Sequence, residues 1–155
     1  MKPLAKKASP AAIAVLRQAT TLCPKRKKAS DGLLPSSAHI KQNPNSDHNT
    51  GLAADLTHDP VNGVDCGEIF LRLQSDARVD YLIFNGRIWS DDKGNRPYNG
   101  LNKHNHHLHI SIKAKYAKDT SPWFGWMGEP KAIGKVKAKL IKPKAKKEIP
   151  SPKED

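Results

Sequence analysis

The sequence predicts a single α+β domain over residues 10–126, with a basic extension at 1–9 and a Lys- and Pro-rich tail at 127–155. Three observations lead to this prediction. The 155 residues are enough for one domain with a modest core. Apolar residues recur both at helical spacing and in strict alternation, as in helices and half-buried strands. The tail is dominated by Lys, Ala and Pro, so we expect it to be disordered.

Two helices and a long loop are predicted first. An Ala-rich apolar run follows Pro10 and reaches Leu22, and the next two residues, Cys-Pro, end this helix. Residues 29–49 are rich in Gly, Pro, Ser and Asn and predict a polar loop, which at this length is usually functional. Apolar positions at helical spacing between residues 66 and 77 predict an amphipathic helix.

Strands are predicted by alternation. In residues 51–57 the side chain of Asp55 projects from the face opposite the leucines. Residues 79–84 and 87–89 predict a hairpin that turns at Asn-Gly, a favoured two-residue turn. A polar loop is expected at 91–102. It leads to a strand on which three aliphatic residues face the core. The opposite face of this strand carries His107, His109 and Ser111.

The charge is concentrated at the two ends of the chain. Residues 1–30 contain eight Lys or Arg and no acid, residues 127–155 contain nine Lys and four acids, and the middle contains ten bases and eleven acids. Basic ends predict binding to polyanions such as nucleic acid or anionic cell-envelope polymers, and a merely solubilising tail is the alternative. The middle shows no nucleic-acid-binding pattern, so nucleic acid is not the expected partner. We expect a monomer.

The histidines are clustered. Four of the seven lie between residues 102 and 109, and His48 precedes Asp55 by seven positions. Neutral imidazole and carboxylate are zinc ligands, and a catalytic zinc keeps three protein ligands with one open position. His48, Asp55 and one histidine of the last strand would form such a set. A cluster of solvated surface histidines is the alternative.

A family resemblance extends this hypothesis. The segment Ser46–Asp55, SDHNTGLAAD, resembles the Ser-x-His-x-x-Gly-x-Ala-x-Asp motif of zinc D-Ala-D-Ala carboxypeptidases and related peptidoglycan peptidases. These include VanX/VanY-like enzymes, phage endolysins and the murein endopeptidase MepA. The run His104-x-x-His107-x-His109 is similar to that of MepA-like members, and hedgehog domains share the fold. The resemblance covers about residues 30–126.

The resemblance implies a central antiparallel sheet flanked by helices and one zinc ion held by His48, Asp55 and His109. It also implies a zinc-dependent peptidase of bacterial peptidoglycan, of the phage endolysin type, that acts as a carboxypeptidase or an endopeptidase. In many members a carboxylate three residues before the last zinc ligand is the general base, but here that residue is His106. The MepA-like pattern instead implies His107 as the acid/base, with His104 as its helper or as an oxyanion stabiliser.

Weaker candidates for substrate binding are His39, Lys41 and Arg87, because stem peptides carry several carboxylates. Since the usual carboxylate base is missing, a non-catalytic, hedgehog-like module stabilised by zinc remains the alternative function.

Two further expectations concern the compartment. The sequence after Met1 shows neither a signal-peptide core nor a membrane span, so we expect synthesis in a bacterial host cytoplasm and action on the wall after release. Cys23 and Cys66 are too few for a disulfide framework, and we expect both to be reduced.

Overall fold

The structure, a computed structural model, describes residues 4–128. Within that range the chain forms three α-helices and five β-strands, joined by loops and short 3-10 turns. The helices are α1 (Pro10–Leu22), α2 (Ser37–Gln42) and α3 (Cys66–Arg72), and the strands are β1 (Ala53–Thr57), β2 (Val79–Phe84), β3 (Arg87–Ser90), β4 (Gly94–Pro97) and β5 (His107–Ile112).

The strands form one antiparallel sheet in the order β1-β5-β2-β3-β4. The histidine-bearing strand β5 therefore lies between β1 and β2, with a neighbour on each edge. Helix α1 packs against β1, and α3 packs against β2 and β5. The predicted α+β class and the antiparallel sheet are confirmed.

Helix α1 shows how local sequence sets an element. The hydroxyl oxygen of Ser9 accepts a hydrogen bond from the Ala12 amide, and Pro10 occupies the first turn, where its missing N–H costs nothing. The helix ends at Leu22, and the amide of Cys23 caps it. The predicted bounds are confirmed.

Two elements were missed and one was predicted too long. Helix α2 lies inside the predicted loop 29–49, and its one and a half turns bury no residue that could have produced an apolar pattern. Strand β4, Gly-Asn-Arg-Pro, lies inside the predicted loop 91–102 and is formed by backbone pairing with β3, without apolar alternation. Helix α3 ends at Arg72, and a 3-10 turn over Leu73–Ser75 follows it.

The core is formed by aliphatic residues of the sheet and helices together with two adjacent aromatic residues, Trp123 and Phe124. Trp123 is almost fully buried, its indole N–H donates to the carbonyl of Ala11, and the guanidinium of Arg78 lies 3.5 Å above its ring. Cys23 and Cys66 are both buried, and both carry a thiol and not a disulfide. The largest fully buried side chains are Trp123, Phe124, Leu56, Ile69, Leu73, Leu82, Leu108, Ile110, Ile112, Val15, Val64 and Val79.

The segments before α1 and after residue 124 contain no α-helix or β-strand in the part of the chain that the structure describes. Residues 5–9, assigned above to a basic extension, run along residues 49–51, with hydrogen bonds from the Ala5 and Ser9 amides to the carbonyls of Asn49 and Gly51. A second unit begins at Gly125, and its described part is the 3-10 turn Gly125–Gly128. The tail predicted to be disordered lies outside the described residues from position 129 on. No helix in the described range is long and apolar enough to cross a membrane.

Candidate metal centre

Three local structures bring the predicted ligands together. In the register of β1 with β5, Asp55 is the direct partner of His109 and Thr57 is the partner of His107. Since alternate residues of a strand share a face, Asp55 and the two histidines of β5 lie on the same side of the sheet. His48 comes from the 3-10 turn Asp47–Thr50, which immediately precedes β1.

The three predicted ligands, His48, Asp55 and His109, form a compact group, here called the metal group. Nε2 of His48 and Nδ1 of His109 each lie 3.2 Å from the same carboxylate oxygen, Oδ1 of Asp55. One candidate ligand atom from each residue lies within 4.8 Å of the other two. Both histidines are buried, and Asp55 is largely so. The predicted set is therefore close enough to hold one metal ion.

Neighbouring groups determine which nitrogen each histidine offers. Nδ1 of His48 lies 2.7 Å from the carbonyl oxygen of Leu33, and because a carbonyl only accepts, this nitrogen carries the proton. Nε2 of His109 lies 2.8 Å from Oγ of Ser111, which accepts its N–H in the tautomer that leaves Nδ1 free. Such outer hydrogen bonds orient histidine ligands in metal sites.

This arrangement requires a positive charge at its centre. Neutral His48 presents a lone pair on Nε2 to an anionic oxygen only 3.2 Å away, and two acceptors at that distance repel each other unless a proton or a metal ion lies between them. Burial by itself disfavours the imidazolium, but the hydrogen bond and charge of Asp55 outweigh it and raise the pKa of His48. Burial favours protonated Asp55, yet its hydrogen bonds with His109 and His48 hold its pKa well below the usual range.

The two predicted catalytic histidines border this group. Nε2 of His107 lies 3.7 Å from Oδ2 of Asp55. His48 and His109 approach the other carboxylate oxygen, Oδ1. The ring of His104 packs edge-on against those of His107 and His109, with centroids 4.9 and 5.8 Å apart. Burial, followed by the neighbouring imidazoles, lowers the pKa of His104 to about 4, and burial also lowers the pKa of His107. Both rings are therefore neutral at pH 7.

The loop that carries His104 is attached to the tip of the β2–β3 hairpin. The amides of Asn85 and Gly86 donate to the carbonyls of His104 and Lys103. His104 has a left-handed backbone with a φ of 58°, and Asn102 accepts hydrogen bonds from its amide through Oδ1 and from its Nδ1 through the carbonyl. Since Nδ1 donates, Nε2 of neutral His104 presents a lone pair, which suits a base and not an oxyanion donor.

A cleft of about 180 Å³ opens beside Asp55 and His48. Its further lining residues are Gly32, Leu34, Pro35, Ser36 and His39. The ring of His39 lies 5.6 Å from that of His48, and its Nε2 lies 3.1 Å from Oγ of Ser46. Burial and the nearby imidazole of His48 lower the pKa of His39, so the cleft wall it forms is uncharged at pH 7.

Three other candidates lie outside the cluster. Lys41 is exposed on α2, two residues beyond His39. Arg87 is exposed, and its Nε donates to Oδ1 of Asn95 on the neighbouring strand. His106 is exposed, and its carbonyl accepts a hydrogen bond from the amide of His58. The structure thus brings His39 to the cleft and leaves Lys41, Arg87 and His106 on the surface.

Four residues of the site were not predicted. Leu33 and Gly32 act through the backbone, which leaves no side-chain pattern in the sequence. Tyr81 stacks on His109 with ring centroids 5.4 Å apart, and burial raises the pKa of its phenol to about 12. Ser111 could have been found, because it continues the alternation of His107 and His109 along β5.

The fold and the site define a small α+β domain with a His/Asp group able to hold a metal ion. The chain belongs to the family described as VldE, C-terminal domain, which matches residues 5–109. That match includes all six polar residues of the cluster and the cleft wall beside it, which are His39, His48, Asp55, His104, His107 and His109. No curated protein and no solved structure matches the chain.

Proposed function

We propose that this protein is a zinc-dependent peptidase of bacterial peptidoglycan, of the phage endolysin type. It would act as a carboxypeptidase or endopeptidase on the stem peptide or cross-link. The observation that carries the proposal is the convergence of Nε2 of His48 and Nδ1 of His109 on one oxygen of the largely buried Asp55, 3.2 Å from each. Two imidazoles and one carboxylate are the donor set of a catalytic zinc.

The assignment of the fold to the hedgehog/DD-peptidase type is part of this proposal. The family description names no reaction, so the hedgehog/DD-peptidase type is supported by the order of the two motifs and by the position of β5 inside an antiparallel sheet. In that type, as in the resemblance described above, a histidine of a late strand completes the ligand set begun by His48 and Asp55.

His48, Asp55 and His109 would hold the ion. Zinc, when bound, supplies a Lewis acid that activates water and polarises the scissile carbonyl. The chain supplies the proton transfer: His107, neutral at pH 7 and facing Oδ2 of Asp55, takes a proton from the attacking water and returns it to the leaving amine. His104 assists as a second base, since its Nε2 is unprotonated. The cleft beside His39 receives the peptide.

The remaining parts of the proposal concern the setting. Synthesis in a host cytoplasm and action on the wall after release follow from the endolysin type. The Lys-rich segment 127–155 would bind anionic polymers of the cell envelope through its nine lysines.

The test is release of soluble muropeptides from purified peptidoglycan, measured by mass spectrometry with and without a chelator and after zinc is restored. We expect cleavage by wild type, its loss with chelator, its recovery with zinc, and fragment masses that name the bond. Asp55→Asn should bind less than one zinc per chain and cleave nothing, whereas Asp92→Asn, an exposed control, should behave as wild type.

Stoichiometric zinc without any fragment from a panel of cell walls would contradict the enzymatic proposal. In that case the alternative, a non-catalytic binding module stabilised by zinc, would account for the same metal group.

A further inference from the structure

Residues 31–33, here called the strap, run beside β1 and are held at their start by a buried network. Asp31 accepts hydrogen bonds from Nη2 of Arg26 at 2.7 Å, and from the amide and hydroxyl of Thr57 at 3.1 and 2.7 Å. Arg26 is almost fully buried, so its charge is neutralised in place by Asp31. The strap therefore begins at a residue that is hydrogen-bonded to β1 through Thr57.

Its second residue pairs with a proposed metal ligand. The amide of Gly32 donates to the carbonyl of Asp55 at 3.1 Å, and the amide of Asp55 donates to the carbonyl of Gly32 at 2.8 Å. This isolated bridge fixes the backbone of Asp55 from the edge of the sheet, opposite its partner His109 on β5.

The missing side chain of Gly32 leaves room for the carboxylate. A Cβ at this position would lie 3.2 Å from Oδ2 of Asp55, 3.7 Å from its Cβ and 3.8 Å from its Cγ. Gly32 is not among the glycines with positive φ, so its backbone conformation does not demand glycine. The close approach to Oδ2 of Asp55 is what disfavours a side chain at this position. A methyl group here would press on Oδ2 and turn the carboxylate, moving Oδ1 away from both histidines.

The third residue sets the tautomer of a second ligand. The carbonyl oxygen of Leu33 accepts the proton of Nδ1 of His48 at 2.7 Å, which leaves Nε2 facing Asp55. Three consecutive residues thus anchor the strap, space the carboxylate and orient the imidazole.

We infer that the strap is a positioning segment of the metal centre, and that Gly32 is the residue through which it sets metal affinity. The inference rests on the metal group of the proposed function, and it requires zinc binding but not catalysis. It predicts that a single methyl group at position 32 weakens zinc binding although it adds no charge and removes no ligand.

The test compares Gly32→Ala with Gly67→Ala in the full chain. The control is matched, because a Cβ at Gly67 would also lie 3.2 Å from an aspartate oxygen, Oδ1 of Asp65, but at the start of α3 and away from the metal group. Zinc dissociation constants are measured by competition with a chromophoric chelator. Absorption spectra of the Co²⁺-substituted proteins report the ligand geometry, and urea unfolding of the metal-free forms reports the fold.

Gly32→Ala is expected to weaken zinc binding about 10- to 100-fold, the usual effect of disturbing an outer-shell contact, and to change the Co²⁺ spectrum. Its metal-free unfolding midpoint should stay close to that of wild type. Gly67→Ala should keep both zinc affinity and spectrum. Unchanged zinc affinity in Gly32→Ala, or an equal loss in Gly67→Ala, overturns the inference, as does a wild-type chain that binds no zinc. Zinc binding without peptidoglycan cleavage overturns the proposed function alone.

Discussion

At the scale of single residues, the chemistry of this site depends on which nitrogen each histidine presents. His48 offers Nε2 because the Leu33 carbonyl takes the proton of Nδ1, and His104 offers Nε2 because the Asn102 carbonyl does the same. The first nitrogen faces Asp55, where a metal ion would lie. The second is an acceptor, which favours the role of His104 as a helper base over that of an oxyanion stabiliser.

A pair of adjacent histidines tests the catalytic assignment. His107→Ala should lower peptidoglycan cleavage by roughly 100-fold or more, because a positioned acid/base contributes at least that much. His106→Ala should retain activity, since this side chain is exposed and the substitution keeps the backbone carbonyl that accepts from His58. Muropeptide release gives the rates, and zinc content should remain one ion per chain in both variants.

The opposite pattern, with activity lost in His106→Ala and kept in His107→Ala, would move the acid/base to the position where many peptidases of this type carry a carboxylate. Loss of zinc from His107→Ala would instead make that residue part of the ligand set.

At the scale of secondary structure elements, the register of β5 against its neighbours determines the site. A shift by one residue would place either Leu108 or Ile110 opposite Asp55 and turn the histidines towards the core. The register is held on both sides, by β1 through Asp55 with His109 and by β2 through Ile83 with His109. The pairing of β5 with both neighbours thus fixes where its histidines lie along the sheet.

The β2–β3 hairpin provides a test at this scale. Gly86 and Gly94 both have left-handed backbones, with φ of 81° and 71°, and a Cβ at either would meet open space. Alanine at either position should lower the free energy of unfolding by about 1–2 kcal/mol. Of these two glycines, Gly86 is the one that contacts the loop that carries His104: its amide donates to the carbonyl of Lys103, and its carbonyl accepts from the amide of Tyr98.

Gly86→Ala should therefore also reduce muropeptide release about tenfold or more by displacing His104, and Gly94→Ala should not. Urea unfolding and cleavage assays measured on the same samples separate the two effects. Equal activity of the two variants would show that Gly86 does not position His104.

At the scale of the whole molecule, the Lys-rich segment and the metal group belong to different parts of the sequence. The metal group lies in the near-neutral part of the chain, whereas residues 127–155 carry nine Lys and four acids. Attraction between such a segment and an anionic surface weakens with salt. The segment would therefore contribute to reaching the cell envelope and not to peptide hydrolysis.

Removal of residues 127–155 should reduce lysis of whole cells more than cleavage of purified peptidoglycan, and added salt should reduce the difference. A full-length chain with its nine tail lysines changed to glutamine separates the effect of charge from that of length. Equal losses in the two assays would argue against a role in reaching the envelope.

The sequence by itself determined the elements whose signals are local. Helix α1, the Asn-Gly hairpin and the alternation of β5 were predicted because capping, turn chemistry and side-chain parity act over a few residues. It also indicated His48, Asp55 and one histidine of β5 as a ligand set, because zinc chemistry restricts the residue types. The family resemblance then singled out His109.

Only the tertiary structure decided which groups meet. Strand β4 and helix α2 escaped prediction because backbone pairing and capping form them without an apolar pattern. The roles of Gly32 and Leu33 depend on a backbone amide, a carbonyl and an absent side chain, which act only when the strap lies against β1. Lys41 and Arg87 lie on the surface, which their residue types could not reveal. Residue type suggests what a side chain can bind, but its distance from the site depends on packing between segments far apart in sequence.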